Sequence, residues 1–341
     1  MTAGAGQTCA RTGDGKLYCW GANQLNQVGP NAASGVEPRP TEVPGLQGGT
    51  LQSAAGQHTC ATAADGGVLC WGGNQVGQCG VDTTVATVVV QPSLQPLAGV
   101  TALGGGGLAS CVLAQASGVY CWGAGAVIPV GAFPLPHHVA GTGYQDVVNG
   151  ASHACLRRPQ GSVECWGANG NHQVNETDTG QFDTPLDVPT AGGADAIAAG
   201  ANFTCVLKGT QVYCWGANDR KQLAREDAGP PAGALLIPGV AARRVAAGGS
   251  HACVVTTTGR VVCWGDNGQK QCGQEGPATL PAPAEVPTLT NVVDVVAGGG
   301  FSCARVADAG VYCWGGNQSG ALGRPAGPND AVPQPVQWPV D

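Results

Sequence analysis

Charged side chains are scarce in this sequence: Asp, Glu, Lys and Arg together make up 11% of the 341 residues, less than half of the roughly 25% found in typical soluble domains. Glu, Lys and Leu are few, whereas Gly and Val are abundant, and this composition disfavours helices and favours strands joined by tight turns. Hydrophobic residues make up 43% of the chain, which excludes a disordered polar polymer. The composition therefore predicts an all-β protein.

The sequence also lacks an excess of positive charge and any long apolar run. Its formal net charge of −7 disfavours a nucleic-acid partner, because binding the phosphate backbone needs a basic surface. The longest apolar stretch, Val85 to Val90, is interrupted by Thr87 and is too short to span a bilayer, which predicts no membrane insertion. No basic segment followed by an apolar one opens the chain. A secreted protein would therefore have its export signal outside this sequence.

Motifs that carry chemistry are missing too. No Cys-x-x-Cys occurs, although zinc sites and thioredoxin-like redox sites commonly use that spacing. No nucleophile–base set, phosphate-binding loop or His-Glu metal motif is found either. The sequence therefore predicts no catalytic residue, no metal and no cofactor, and favours a protein that is not an enzyme.

What the sequence does contain is one unit in seven copies. Cys-Trp-Gly recurs at steps of 51, 51, 44, 49, 49 and 50 residues, at Cys19, Cys70, Cys121, Cys165, Cys214, Cys263 and Cys313. Each copy has a partner cysteine ten residues upstream, or nine in the fifth copy, namely Cys9, Cys60, Cys111, Cys155, Cys205, Cys253 and Cys303. The unit contains four short strand-like segments: Pro-x-x-Val, an Ala/Gly run, the first-cysteine segment and the Cys-Trp-Gly segment. Units of this size and strand content are typical of propeller blades.

The phase of the repeat predicts how the ring closes. The chain starts inside a unit, with no Pro-x-x-Val segment before it, and ends with "PQPV", Pro333 to Val336. We therefore expect this last segment to pair with the N-terminal blade and supply its missing strand, which would remove both free sheet edges. The prediction is a single domain, residues 1–341, forming a closed seven-bladed β-propeller of four-stranded blades.

The repeated segment resembles the repeat of the regulator of chromosome condensation family. "GQHTCATAADGGVLCWGGNQVGQCG" contains that family's Asp-Gly-x-Val, Trp-Gly-x-Asn and Gly-Gln-x-Gly elements, and its "GQHT" resembles the family's Gly-x-x-His-Thr with one residue fewer between Gly and His. The resemblance extends over essentially the whole chain and implies a propeller. It says little about activity, because the family includes nucleotide exchange factors, secreted enzyme inhibitors and surface proteins of unknown role.

Two activities known in that family find little support in these residues. An exchange factor of the nuclear type binds chromatin, whereas this chain has no basic tail and no wedge-like insertion. The secreted inhibitors present aromatic residues just before the His-type position of successive blades. The matching residues here include no aromatic side chain and are Gly6, Gln57, Leu108, Ser152, Asn202, Ser250 and Gly300.

The paired cysteines are predicted to be structural disulfides. In a hairpin centred on Asp65-Gly66, Cys60 and Cys70 lie directly opposite each other, where Cβ atoms approach closely enough for a bond. Each bridge would stabilise the fold by roughly 2–3 kcal/mol in the chain-entropy model. Seven bridges favour an oxidising compartment: secreted, cell-surface or periplasmic. Cys79 and Cys272 occupy a slot that is Val or Leu in the other copies, which predicts buried free thiols.

The histidines and tryptophans of the unit are predicted to be structural as well. His58, His153 and His251 share one position, which holds Gln7, Ala109, Phe203 or Phe301 in the other copies. A catalytic group could not be replaced by Phe or Ala, so a packing role is favoured. The seven Trp side chains are expected in the core between blades.

The remaining hypothesis places function in the loops that do not repeat. It describes a non-enzymatic extracellular or periplasmic binding propeller, monomeric, that presents rim loops to a protein or surface glycan. The candidate binding residues are Asn218, Arg220, Lys221, Arg225, Glu226, Asp227, Phe133 and Phe182. The alternative is an enzyme whose site is assembled from several blades at the central channel. An exchange-factor-like regulator or an enzyme inhibitor is less favoured.

Thiol counting tests the predicted oxidation state. Under denaturing, non-reducing conditions we expect two titratable thiols, since 14 of the 16 cysteines belong to the repeated pairs. A count of sixteen would contradict the oxidised, exported protein.

Overall fold

The repeated units form seven antiparallel sheets of four strands each, and the chain order of the strands is their order in each sheet. The structure, a computed structural model, describes residues 1–32, 35–50, 52–95, 97–128, 132–227, 229, 231 and 233–339. One 3-10 turn, Pro189–Ala191, is the only helical segment within those ranges. The predicted all-β, seven-bladed architecture is confirmed.

The first four blades have the following strands. Blade I contains β1 (Thr2–Ala3), β2 (Gln7–Arg11), β3 (Leu17–Asn23) and β4 (Gly35–Val43). Blade II contains β5 (Gln52–Ala54), β6 (His58–Thr62), β7 (Val68–Gly73) and β8 (Val88–Gln95). Blade III contains β9 (Val100–Gly105), β10 (Ala109–Ala114), β11 (Gly118–Gly123) and β12 (Phe133–Ala140). Blade IV contains β13 (Asp146–Asn149), β14 (His153–Arg157), β15 (Val163–Ala168) and β16 (Gln181–Asp187).

The last three blades repeat this pattern. Blade V contains β17 (Ala196–Ala199), β18 (Phe203–Lys208), β19 (Gln211–Gly216) and β20 (Leu235–Leu236). Blade VI contains β21 (Ala242–Ala247), β22 (His251–Thr256), β23 (Val261–Asp266) and β24 (Thr279–Glu285). Blade VII contains β25 (Val292–Ala297), β26 (Phe301–Val306), β27 (Gly310–Gly315) and β28 (Asp330–Pro335). In every blade the Ala/Gly run is the first strand and lines the axis of the ring.

Each of the seven blades has one disulfide, which joins its second and third strands. Cys60 and Cys70 are register partners in the hairpin of blade II, and the other pairs occupy the same position. The bonds are Cys9–Cys19, Cys60–Cys70, Cys111–Cys121, Cys155–Cys165, Cys205–Cys214, Cys253–Cys263 and Cys303–Cys313. The shorter spacing in the fifth pair reflects a tighter turn, because Lys208 pairs directly with Gln211.

The predicted closure by strand exchange is wrong. The final strand β28 pairs with β27 of its own blade, and blade I already has four strands because Thr2–Ala3 serves as its innermost one. The Pro-x-x-Val segments pair with the Cys-Trp-Gly strand that precedes them: the Val336 amide donates to Val311 O at 2.9 Å. Proline has no amide hydrogen to donate and is therefore favoured on an edge strand. The repeat unit thus begins one segment later than the sequence phase indicates.

The ring closes instead through contacts between neighbouring blades. Each Trp that follows the second cysteine donates its indole N–H to a backbone carbonyl in the loop of the preceding blade, at 2.7 to 3.0 Å. Trp20 of blade I donates to Ala321 O of blade VII at 2.9 Å, and this bond spans the junction between the chain ends. All seven indoles are at most 1% exposed, which confirms their prediction as core residues.

At the axis, backbone groups of adjacent blades are in direct contact. The Gly56 amide donates to Gly106 O at 3.0 Å, and the Gly299 amide donates to Gly4 O at 3.0 Å across the junction of blades VII and I. A Cβ atom added at Gly106 would overlap the carbonyl oxygen of Gly150 in the next blade. Glycine is needed there because a side chain would push the innermost strands apart.

Replacing Gly106 by Ala therefore tests the packing at the axis. We expect Gly106→Ala to lower the free energy of unfolding by about 1–3 kcal/mol, the typical cost of an overpacked contact. Gly141→Ala is the control, since no atom lies within 4 Å of a Cβ at that position. Denaturant unfolding without reductant measures both, and equal midpoints for the two variants would contradict this account of the axis.

Candidate functional site: an amide-lined hollow on the loop face

The loops between the third and fourth strands of the blades lie on one face of the ring, here called the loop face. A hollow of about 760 Å³ opens on this face over the junction between the first and last blades. Its lining comes from blades VI, VII, I, II and III. We call this space the amide hollow, and its lining includes the side chains of Gln24, Leu25, Gln57, Leu108, Gln269, Gln318 and Ser319.

Three walls of the amide hollow come from one position of the repeat, five residues after the Trp of Cys-Trp-Gly. Leu25, Gln269 and Ser319 occupy this position in blades I, VI and VII. Each leans across a blade junction. Ser319 donates to Gly6 O at 3.1 Å, and the Gln269 amide packs so closely over Gly300 that a Cβ on that glycine would lie 2.8 Å from it. The walls therefore depend on the closed ring.

The floor of the hollow is the axis itself. Ala and Gly residues of all seven blades, together with Asn149, form a constriction of about 160 Å³. A second chamber of about 340 Å³ opens beyond it on the opposite face. The side chains of the hollow and the constriction include no carboxylate, imidazole, thiol, amine or guanidinium. These spaces can hold a molecule by hydrogen bonds and apolar contact, but they supply no acid–base pair.

The three repeated histidines lie outside these spaces, each buried between two blades. His58 Nε2 is 2.6 Å from Ser110 Oγ, and Ser110 Oγ donates to Gln78 O at 3.1 Å. Since the hydroxyl hydrogen is already used, the imidazole Nε2–H must be the donor to Ser110. His153 and His251 make the same contact with Thr204 and Ser302, at 2.7 and 2.8 Å. Burial lowers the pKa of each imidazole to about 4.

Asn218 organises the charged loop of blade V from within and is not an exposed binding group. It is 1% exposed; its Oδ1 accepts the Leu223 amide at 2.9 Å and its Nδ2 donates to Arg225 O at 3.3 Å. Six blades have this Asn with the same Oδ1 contact, at Asn23, Asn74, Asn169, Asn218, Asn267 and Asn317. Its recurrence in the sequence was the available signal of a structural role.

The charged side chains of this loop contact one another. Arg225 forms an ion pair with Asp227, and the Lys221 ammonium donates to Glu226 O. Arg220 is exposed and lies 4.0 Å from Asp219. The charged candidate binding residues of this loop lie on the loop face, but none of them lines the amide hollow. They are Arg220, Lys221, Arg225, Glu226 and Asp227.

Phe133 and Phe182 lie in outermost strands and are half-buried, in contrast to the exposed loop positions expected for them. Phe133 pairs with Gly123 and Phe182 with Gly167, the glycines of Cys-Trp-Gly in blades III and IV. A large side chain can pack over a glycine because no side chain opposes it. Phe133 also stacks on His137, with ring centroids 4.4 Å apart.

Cys79 and Cys272, the two cysteines outside the seven repeated pairs, are both buried. Each Sγ donates to a backbone carbonyl at 3.2 Å, that of Gly73 or Asp266, and burial raises the thiol pKa. Such thiols are poor nucleophiles. The same slot holds buried Val28, Val174, Leu223 and Leu322, while Val130 lies outside the described residues.

Within the described ranges, no group of three or more His, Cys, Asp or Glu side chains is arranged to hold a metal ion. In the same part of the chain, no helix has the length and apolarity needed to cross a membrane.

The fold and its inter-blade contacts define the class: a closed seven-bladed propeller with one disulfide per blade. Five segments match the regulator of chromosome condensation (RCC1) repeat, at residues 1–27, 53–78, 194–222, 242–274 and 292–321. The matched segments lie in blades I, II, V, VI and VII, and blades III and IV have the same four-stranded architecture outside them.

Known proteins resemble this chain closely in fold and more distantly in sequence. The RCC1 domain-containing mitochondrial protein RUG3 of Arabidopsis thaliana is 30% identical over 141 residues, 40% of this chain and 31% of that protein. The match thus spans about a third of the length of this curated relative. Prp20p of Saccharomyces cerevisiae, described with binding properties toward Gsp1p and histones, superimposes with a TM-score of 0.83 at 22% identity, covering 96% of this chain and 87% of Prp20p. Human WBSCR16 gives 0.84 at 19% identity, with 96% of both chains covered.

The buried histidines predict acid sensitivity. Their pKa in the folded protein, about 4, lies below the ordinary value of 6.5, so the unfolded chain binds more protons and stability falls as the pH drops from 6.5 towards 4. The loss is on the order of 2 kcal/mol per histidine at pH 5. The triple variant His58→Gln, His153→Gln, His251→Gln should lose less stability over this range, because a carboxamide takes up no proton there. Glutamine fits the slot, since Gln7 fills it in blade I.

Thermal unfolding at pH 7, 6 and 5 measures this effect. His137→Gln, which alters an exposed imidazole, should retain the pH dependence of the wild type. Identical pH dependence in the triple variant and the wild type would contradict the assignment.

Proposed function

We propose that the protein is a non-enzymatic binding propeller of an extracellular or periplasmic compartment, which holds a protein or glycan partner on its loop face. The observation that carries this proposal is the amide hollow, an open site with hydrogen-bonding amides and apolar side chains but without an acid, base or nucleophile. Such a lining suits recognition, because catalysis of group transfer needs groups that move protons or attack a bond.

The seven disulfides support an extracellular or periplasmic compartment. Each closes a loop of nine or ten residues, and such bonds persist in oxidising surroundings but are rare in the cytosol and nucleus. Their sulfur atoms are buried between blades, so an exported chain would gain both local stability and protection from reduction. An exchange-factor role in a reducing nucleus would leave these cysteine pairs without their bonds.

The relatives support recognition as the general role of the scaffold. Prp20p, which has the same fold, is described with binding properties toward Gsp1p and histones. Histones are basic proteins, and this chain has a net charge of −7. The fold alone does not determine function, so the loop face of this chain, and not its likeness to Prp20p, sets which partner it binds.

Binding without turnover is the property to test. The oxidised protein, immobilised, is exposed to secreted and surface proteins and to an oligosaccharide array, and bound components are identified by mass spectrometry. We expect saturable binding of at least one component, recovered with unchanged covalent mass. Binding should disappear after reduction and alkylation of the seven disulfides, which serves as the control for a folded site. A component that is released chemically altered, with turnover, would contradict the proposal and favour an enzyme.

A further inference from the structure

We infer that the amide hollow binds an uncharged, extended peptide segment of a partner protein. This inference rests on the proposed binding function and specifies its ligand. It follows from three properties of the hollow: which side chains reach it, which chemical groups they offer, and why it occurs in only part of the ring.

The exposed polar groups of the hollow are carboxamides. Gln24, Gln57, Gln269 and Gln318 are all exposed, and they come from four different blades. A carboxamide offers two N–H donors and one carbonyl acceptor, the same kinds of group that a peptide unit offers in complementary form. Amides around a hollow can therefore satisfy the backbone of an extended chain that leaves water on entering it.

The lining disfavours a charged ligand. No titratable side chain contributes to it, so a carboxylate or ammonium entering the hollow would lose water without gaining an ion pair. Lys270, which follows Gln269 in the chain, already has a partner, since its Nζ lies 2.7 Å from Glu275 Oε2. The segment that enters is therefore neutral, whatever charges the rest of the partner has.

The apolar part of the lining favours a peptide over a sugar. Leu108 is 42% exposed, and Leu25 is half-buried on a neighbouring wall. Branched aliphatic side chains pack against the side chains of a peptide, whereas sugars are commonly held by a flat aromatic face. Phe301 is the one aromatic residue in the lining, and it is 2% exposed.

Small residues explain why the hollow lies over blades VII and I. The residue before the His-type position is Gly300 in blade VII and Gly6 in blade I, and both line the hollow. In blades IV, V and VI the same position holds Ser152, Asn202 and Ser250. The two glycines leave room for the Gln269 and Ser319 side chains, which lie where a Cβ of Gly300 or of Gly6 would contact them at 2.8 and 3.3 Å. The walls of the hollow therefore differ from the corresponding positions in the other blades, and the site lacks sevenfold symmetry.

The test uses an array of synthetic nonapeptides and an array of neutral oligosaccharides. One peptide set contains only Ala, Val, Leu, Ser, Thr, Asn and Gln; matched sets have Asp or Lys at the central position. The oxidised wild-type protein, Gln57→Lys and Gln318→Lys are compared with Gln334→Lys, a control that changes an exposed glutamine of the outermost strand of blade VII. Thermal unfolding and a count of two free thiols establish that each variant is folded.

We expect the wild type and Gln334→Lys to bind members of the neutral set alike. A central Asp or Lys in the peptide, or a Lys at position 57 or 318, should weaken binding at least about tenfold, because an unpaired charge loses its hydration. Gln57→Lys should recover affinity for peptides with a central Asp, an effect that a merely structural residue would not produce.

Three outcomes would overturn the inference. They are binding of no peptide, peptide binding that Gln57→Lys and Gln318→Lys leave unchanged, and equal binding of neutral and charged-centre peptides. Oligosaccharide binding that these two variants abolish would replace the peptide by a glycan and leave the proposed binding function intact. Failure of that function itself would be seen separately, as turnover of a bound component.

Discussion

The hydrogen bond from the indole N–H of each Cys-Trp-Gly segment to a carbonyl of the preceding blade is the contact on which the ring depends. It recurs at all seven junctions, including Trp20 to Ala321 O, where the two ends of the ring meet. Each indole is also packed in a cluster with the disulfide of the preceding blade, as Trp71 is with Cys9 and Cys19. One side chain thus ties the loop of one blade to the core of the next, and no exchanged strand is needed for closure.

The unusual composition follows from this way of packing. Both faces of every blade are covered by neighbours, so few positions remain for charged groups. The innermost strands approach so closely that Ala and Gly, with Asn149, line the constriction at the axis. Blades built from small residues bury little apolar surface each. A disulfide in every hairpin offsets that deficit by limiting the unfolded chain.

The part of the structure that repeats was predictable from the sequence, because a repeated residue occupies the same environment seven times. The cysteine spacing indicated the hairpins, and the presence of Phe or Ala at the position of His58 in sister blades favoured a packing role over a catalytic one. The phase of the unit was not predictable in this way: a cyclic repeat can be cut at any point, and only the pairing of Pro335 with Tyr312 shows where a blade ends. Asn218 was predicted to bind a partner because it begins the most charged loop, but its side chain bonds to the backbone of that loop, as the same Asn does in five other blades.

The sequence by itself determined the all-β class, the number of blades, the cysteine pairs and the deficit of basic charge, because each depends on residue type and on short, repeated spacings. Tertiary structure alone decided how the ring closes and where a ligand can lie. Gln57, Gln269 and Gln318 are far apart in the chain and occupy different positions of the repeat, so no spacing connects them. They face one hollow only because the closed ring brings blades II, VI and VII around a common axis.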